Sequence, residues 1–71
     1  MSDIEKIEII AEVMELEAEA IDIEDMLDSY DEWDSLAALS FVAVMDAKYN
    51  KTVDVNKLKE VITVQDLMNL I

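Results

Sequence analysis

The sequence predicts an all-α fold, a small four-helix bundle of three main helices and one short one. Three observations carry that prediction. Apolar residues return at i, i+3, i+4 and i+7 in three separate stretches, the spacing of one helical face. The 71 residues include no glycine and no proline, so helices must be started and stopped by capping side chains. No stretch alternates long enough to read as a strand, and Val53-Asp54-Val55 is too brief. A chain of this length makes one domain, residues 1–71.

The first helix opens at Ser2, with Glu5 three residues on completing a capping box. Ile7, Ile10, Ala11 and Met14 form its apolar face, Glu5, Glu8, Glu12 and Glu15 the other, and it should end between Glu15 and Ala18. Residues 17–34 lose the rhythm: ten of the eighteen are Asp, Glu or Ser. They read as a long acidic loop anchored by Ile21, Ile23, Met26, Leu27, Tyr30 and Trp33, with room for a helical turn around Glu24–Leu27. The second helix starts at Ser35, capped by Asp34 or Ser35. Ala38, Phe41, Val42, Met45 and Tyr49 form its stripe, and Asn50 stops it. Asn56 is a candidate cap for a short helix, Lys57–Val61. Thr63 with Asp66 forms a second capping box, opening a stripe of Val64, Leu67, Met68 and Ile71. So small a bundle buries a thin core, worth about 3–5 kcal/mol net.

Composition removes most chemistries. Eighteen acids face five lysines, for a net charge of −13, and 54% of the residues are hydrophobic. A disordered acidic tail would be poor in apolar residues. With no cysteine there is no disulfide, thiolate metal site or cysteine nucleophile. With no histidine there is no His-based triad or His ligand. Without glycine no phosphate-cradling loop of the usual kind forms. An enzyme is not expected. Asp28, Asp31 and Asp34 recur every third residue, which is not the alternating spacing of a calcium loop, so no dedicated metal site is expected either.

The charge is unevenly spread. Residues 1–35 hold fourteen acids and one lysine, whereas residues 36–71 hold four of each. Such a surface repels nucleic acid and anionic lipid and favours basic protein partners. No apolar run is long enough for membrane insertion. The first residues lack the pattern of a secretory signal, so the expectation is a cytoplasmic monomer.

The informative stretch is Glu32-Trp33-Asp34-Ser35-Leu36. Ser35 stands where an acidic loop meets an apolar helix. A helix start offers unpaired N–H groups and partial positive charge, which favour a phosphate there. Read alone, Ser35 is more simply an ordinary helix cap, although Ala38 stands where a capping box would want Glu or Gln.

Asp34-Ser35-Leu36 resembles the Asp-Ser-Leu motif of acyl carrier proteins, and the surrounding chain extends the resemblance over nearly its whole length. Leu39, Phe41, Val42, Met45 and Tyr49 stand at the spacings of that family's second helix. Val53 matches a buried aliphatic position, and Ile62-Thr63-Val64-Gln65-Asp66-Leu67 resembles the opening of its last helix. Ile21 and Leu27 match anchors of its first loop. The resemblance implies an acyl-carrier-like bundle bearing 4′-phosphopantetheine covalently on Ser35, placed there by a phosphopantetheinyl transferase. The arm's thiol would hold an acyl group as a thioester, loaded by an acyl- or aminoacyl-ligase and passed to acyl-transferring enzymes with basic surfaces. Asp34 and Leu36 would contact partners, and Val61 and Ile62 would flank a shelter for the acyl chain. Lipid metabolism, fatty acid biosynthesis included, is one setting for such a carrier.

Three departures qualify the match. Glu32-Trp33 replaces the usual Gly-Ala, as in specialised stand-alone carriers such as D-alanyl carriers; an aminoacyl or peptidyl carrier is therefore the alternative. Trp33 should pack beneath the loop. The outward face of the second helix is expected to carry Ala37, Ser40, Ala43, Val44 and Ala47 instead of acids, so that Leu36 and Val44 form an apolar docking strip. The acidity has moved into the first helix and its loop. An unmodified acidic interaction module is the alternative from another class.

Overall fold

The computed structural model describes all 71 residues. It is all-α: α1 spans Asp3–Met14, α2 Ser35–Tyr49, α3 Val55–Leu58 and α4 Val64–Met68, with 3₁₀ turns at Ala18–Ala20 and Leu27–Ser29. The only sheet-like pairing is an isolated antiparallel bridge between Met26 and Thr63. α1 packs against both α2 and α4.

Local signals set most boundaries. The Ser2 hydroxyl accepts from the Glu5 N–H at 3.2 Å, while the Glu5 carboxylate accepts from that hydroxyl and not from the Ser2 backbone, so the first box is half formed. Glu15 ends α1 in the left-handed region at φ 59°, and Asn50 ends α2 at φ 51°. Asparagine tolerates that conformation better than most residues; the glutamate holds it at some cost. At α4 the second box is complete: Thr63 Oγ1 accepts from the Asp66 N–H at 3.1 Å, and Asp66 Oδ2 accepts from the Thr63 N–H at 3.2 Å. Two expectations change. The cap of α3 is Asp54, which accepts from the Asn56 N–H at 2.9 Å, so α3 begins at Val55 and ends at Leu58. α4 is five residues long, and a turn carries the chain to Ile71.

The core draws on every helix. Ile9, Ile10, Ala11 and Met14 of α1 meet Phe41 and Met45 of α2, Leu58 of α3, and Val64, Leu67 and Met68 of α4. Ile9 is buried in the place expected of Ile7, which is only half-buried. Tyr49, expected in the stripe, is 40% exposed on the last turn of α2. The outward face expected for α2 is also different. Ala37 is buried, and Ser40 and Val44 are half-buried. Because α2 is apolar on nearly every side, its periodicity does not single out the buried face.

The acidic loop is held by a few defined ties. Ile21 and Leu27 insert into the core. The Leu27 N–H donates to the Ile62 carbonyl at 2.8 Å, and the Val64 and Gln65 N–H groups donate to the Asp25 and Ile23 carbonyls, each at 3.0 Å. The Tyr30 hydroxyl donates to Asp25 Oδ2 at 2.7 Å and accepts from the Asp22 N–H at 3.1 Å. Burial lifts the Tyr30 phenol above its ordinary pKa, the Asp22 N–H pulls it back, and the Asp25 carboxylate raises it further. The helical turn expected around Glu24–Leu27 lies instead at Leu27–Ser29, with a second at Ala18–Ala20. Residues 30–34 then lead from the turn at Leu27–Ser29 into α2.

Candidate functional site

Asp34 is the N-cap of α2: its Oδ1 accepts from the Ala37 N–H at 2.9 Å, and its carbonyl accepts from the Ala38 N–H at 3.0 Å. Ser35 is therefore the first helical residue and not the cap. The N–H groups of Ser35 and Leu36 have no backbone partner, as expected at a helix start. The four serines of the chain differ in what they do. Ser2 is engaged with Glu5, Ser29 donates to the Met26 carbonyl at 2.6 Å, and Ser40 is half-buried. Ser35 alone is exposed with its hydroxyl in no hydrogen bond. A phosphate ester on it would meet two free N–H donors and the positive end of a fifteen-residue helix. The chemistry of this corner thus fits a phosphodiester.

Ser35 opens onto a groove of about 930 Å³ between α2 and the segment 52–61. Ala38, Val42, Val53, Leu58 and Val61 give it an apolar lining, and Asp46 and Lys59 stand among its polar residues. From Ser35 to Asp46 the α2 wall runs about 16 Å at the helical rise per residue. Trp33 also lines the groove, and its ring meets that of Phe41 edge-on, with centroids 6.3 Å apart at 71°. Packing is thus one role of Trp33, as expected, and flooring the groove mouth is another.

The structure brings Asp34, Ser35 and Val61 to one groove. Ile62 does not join them: it is 57% exposed, and its backbone binds Leu27 and Asp66. Leu36 is 71% exposed, and Val44 is turned partly into the core. Leu39, 67% exposed and one turn along from Leu36, stands beside it where Val44 was expected. Val42 was readable only as a core residue, and Leu58 had no reading of its own. The sign that Val42 faces a groove is its partial exposure, which a sequence does not display.

The arrangement is a small helical bundle with an exposed serine hydroxyl, free of hydrogen bonds, at the start of its second helix. The family model describing the phosphopantetheine attachment site matches residues 7–71, and the chain belongs to that family. Members carry 4′-phosphopantetheine covalently, are modified by a phosphopantetheinyl transferase and interact with acyl-handling enzymes. They act generally as carriers and not as catalysts. No curated protein matches the chain. No helix is long and apolar enough to cross a membrane.

Proposed function

We propose that the protein is an acyl carrier whose phosphopantetheine arm is esterified to Ser35, and that it presents a thioester-bound acyl group to biosynthetic enzymes. The observation that carries the assignment of the residue is the free, exposed hydroxyl of Ser35 at a helix start, in contrast to the other three serines. In the attachment step the Ser35 oxygen bonds to the phosphorus that bears the pantetheine in coenzyme A. The pyrophosphate bond breaks, adenosine 3′,5′-bisphosphate departs, and the hydroxyl proton leaves to a base. Asp34, the carboxylate next to Ser35, is engaged as the helix cap, so in this reading the transferase supplies the base. The bound arm supplies a thiol that holds cargo as a thioester. The chain's own part is to anchor the tether, which keeps cargo at high effective concentration for successive enzymes.

The groove beside Ser35 favours an apolar acyl cargo over an aminoacyl one. Its lining is mostly hydrophobic and shelters an apolar chain along its length, whereas a charged ammonium group finds a counter-charge only at Asp34 and Asp46. Leu36, with Asp34 beside it, offers an apolar contact to partner enzymes. Co-expression with a broad-range phosphopantetheinyl transferase tests the reading by intact mass. One added arm is expected, absent in Ser35→Ala; an unchanged mass with several active transferases would leave an unmodified interaction module. Supplying the holo protein with ATP, fatty or amino acids and matching ligases then separates the two cargo classes. Exclusive aminoacyl loading would contradict the acyl reading.

A further inference from the structure

On its α2 side the groove beside Ser35 is a single stripe. Ser35, Ala38, Leu39, Val42, Ala43 and Asp46 line it, at i, i+3, i+4, i+7, i+8 and i+11, so it runs straight along the helix. No residue of α2 beyond Asp46 lines it. There the chain turns back. Asn50 ends α2 in the left-handed region, and the Lys51 N–H donates to the Met45 carbonyl at 3.0 Å. That bond folds the chain over next to Asp46, so that Thr52 and Val53 begin the opposite wall. The two ends of the groove therefore differ. Trp33 stands at the Ser35 end, whereas a carboxylate and a hydroxyl, of Asp46 and Thr52, stand at the other. Asp46 is exposed, and the one ion pair of the molecule, Lys48 with Glu12, leaves it out.

The pantetheine arm bears a hydroxyl and two amides, which favour water, so the acyl chain is the part that an apolar groove holds. With the thioester at the Ser35 end, about 16 Å of α2 wall lies ahead of that chain. An extended chain advances about 1.25 Å per carbon, so about twelve carbons reach Asp46. A methyl group pushed further would strip water from an unpaired carboxylate, which costs more than burying one more methylene gains. A longer chain leaves its end in solvent instead. We propose that the groove measures the cargo: it holds apolar acyl chains up to about twelve carbons, and Asp46 sets the limit. This inference rests on the carrier reading. It gives the cargo a length class and names the residue that determines it.

The test loads the apo protein from a series of straight-chain acyl coenzyme A thioesters with a broad-range phosphopantetheinyl transferase. Hydroxylamine cleavage of each bound thioester is then followed by intact mass, relative to the same thioester on free coenzyme A. Each added pair of carbons should slow cleavage about twofold, less than full burial would give, because the exposed Leu39 leaves one side of the groove open. Beyond about twelve carbons the rate should level off. Asp46→Leu should carry the slowing on by about one helical turn of wall, or about four carbons. The longest chains should then react about threefold more slowly than on the wild type, with short chains unchanged. Melting curves of the unmodified proteins check that the fold is kept. Slowing that continues without a break on the wild type, or a break at the same length in Asp46→Leu, would overturn the ruler while leaving the carrier reading intact. Failure of the wild type to take an arm from any transferase would overturn both.

Discussion

The two flanks of α2 share a helix and Asp34 but little else. One is a groove of about 930 Å³ with an apolar lining and a lysine, Lys59, among its polar residues. The other is a depression of about 260 Å³ with three carboxylates and no cation. Apolar surface left open beside the proposed attachment point suits a cargo that must hide from water, whereas carboxylates gathered on a ledge suit a partner that approaches from water. The uneven charge of the sequence then has a structural meaning. The acidic first half supplies Glu15, Glu32 and Asp34 to one flank, and the neutral second half supplies most of the groove.

The largest expected effect breaks both flanks together. Phe41 is fully buried and its ring supports Trp33 at the groove mouth. Phe41→Ala should cost about 3–5 kcal/mol in urea unfolding, close to the whole stability of so small a core. A loss under about 1 kcal/mol would mean that the two flanks are not built on a common core.

A second change separates the flanks. Val42→Phe extends a half-buried groove residue into the open space of the groove. Arm attachment should proceed at the wild-type rate, while a bound acyl thioester should react severalfold faster with hydroxylamine. If attachment slowed as much as shelter was lost, the functions would not divide between the flanks.

A smaller effect concerns how the loop bearing Glu32 is held. The Thr63 and then the Ile62 N–H groups hold the Asp66 carboxyl below its ordinary value of 3.8. A carboxyl depressed in the folded state stabilises above its unfolded value, and that contribution is lost as the pH falls through the folded one. Asp66→Asn should therefore lower Tm at pH 7, with mutant and wild type converging as the pH falls below 3.8. A constant gap across that range would show that the charge of Asp66 is not what the box uses.

The smallest effect is global. Eighteen acids repel one another, against one exposed ion pair that gains little. Sodium chloride screens the repulsion more than it weakens that pair, so Tm should rise by a few degrees between dilute buffer and moderate salt. A fall would contradict the picture of the surface as self-repelling.

What the sequence revealed follows from the range of each signal. The Ser2 cap, the Asn50 stop and the Thr63–Asp66 box act within a few residues, and each was readable directly. α3 was misplaced because Asp54 and Asn56 are both good caps and only the fold selects between them. The ties from Leu27 to Ile62, from Val64 to Asp25 and from Gln65 to Ile23 span about forty residues, so nothing local announces them. Ser35 stood out through the motif Asp34-Ser35-Leu36 together with the matching spacings along the rest of the chain. Its two flanks did not, because Val42, Leu58 and Glu15 acquire their surroundings only when separate helices meet.

The central claim is that one hydroxyl among four carries the arm. Trypsin should release Ile7–Lys48, a peptide that contains Ser29, Ser35 and Ser40. Fragmentation of that peptide from the holo protein should place the whole added mass on Ser35. Added mass on Ser29 or Ser40, or on a peptide that lacks all three, would contradict the account.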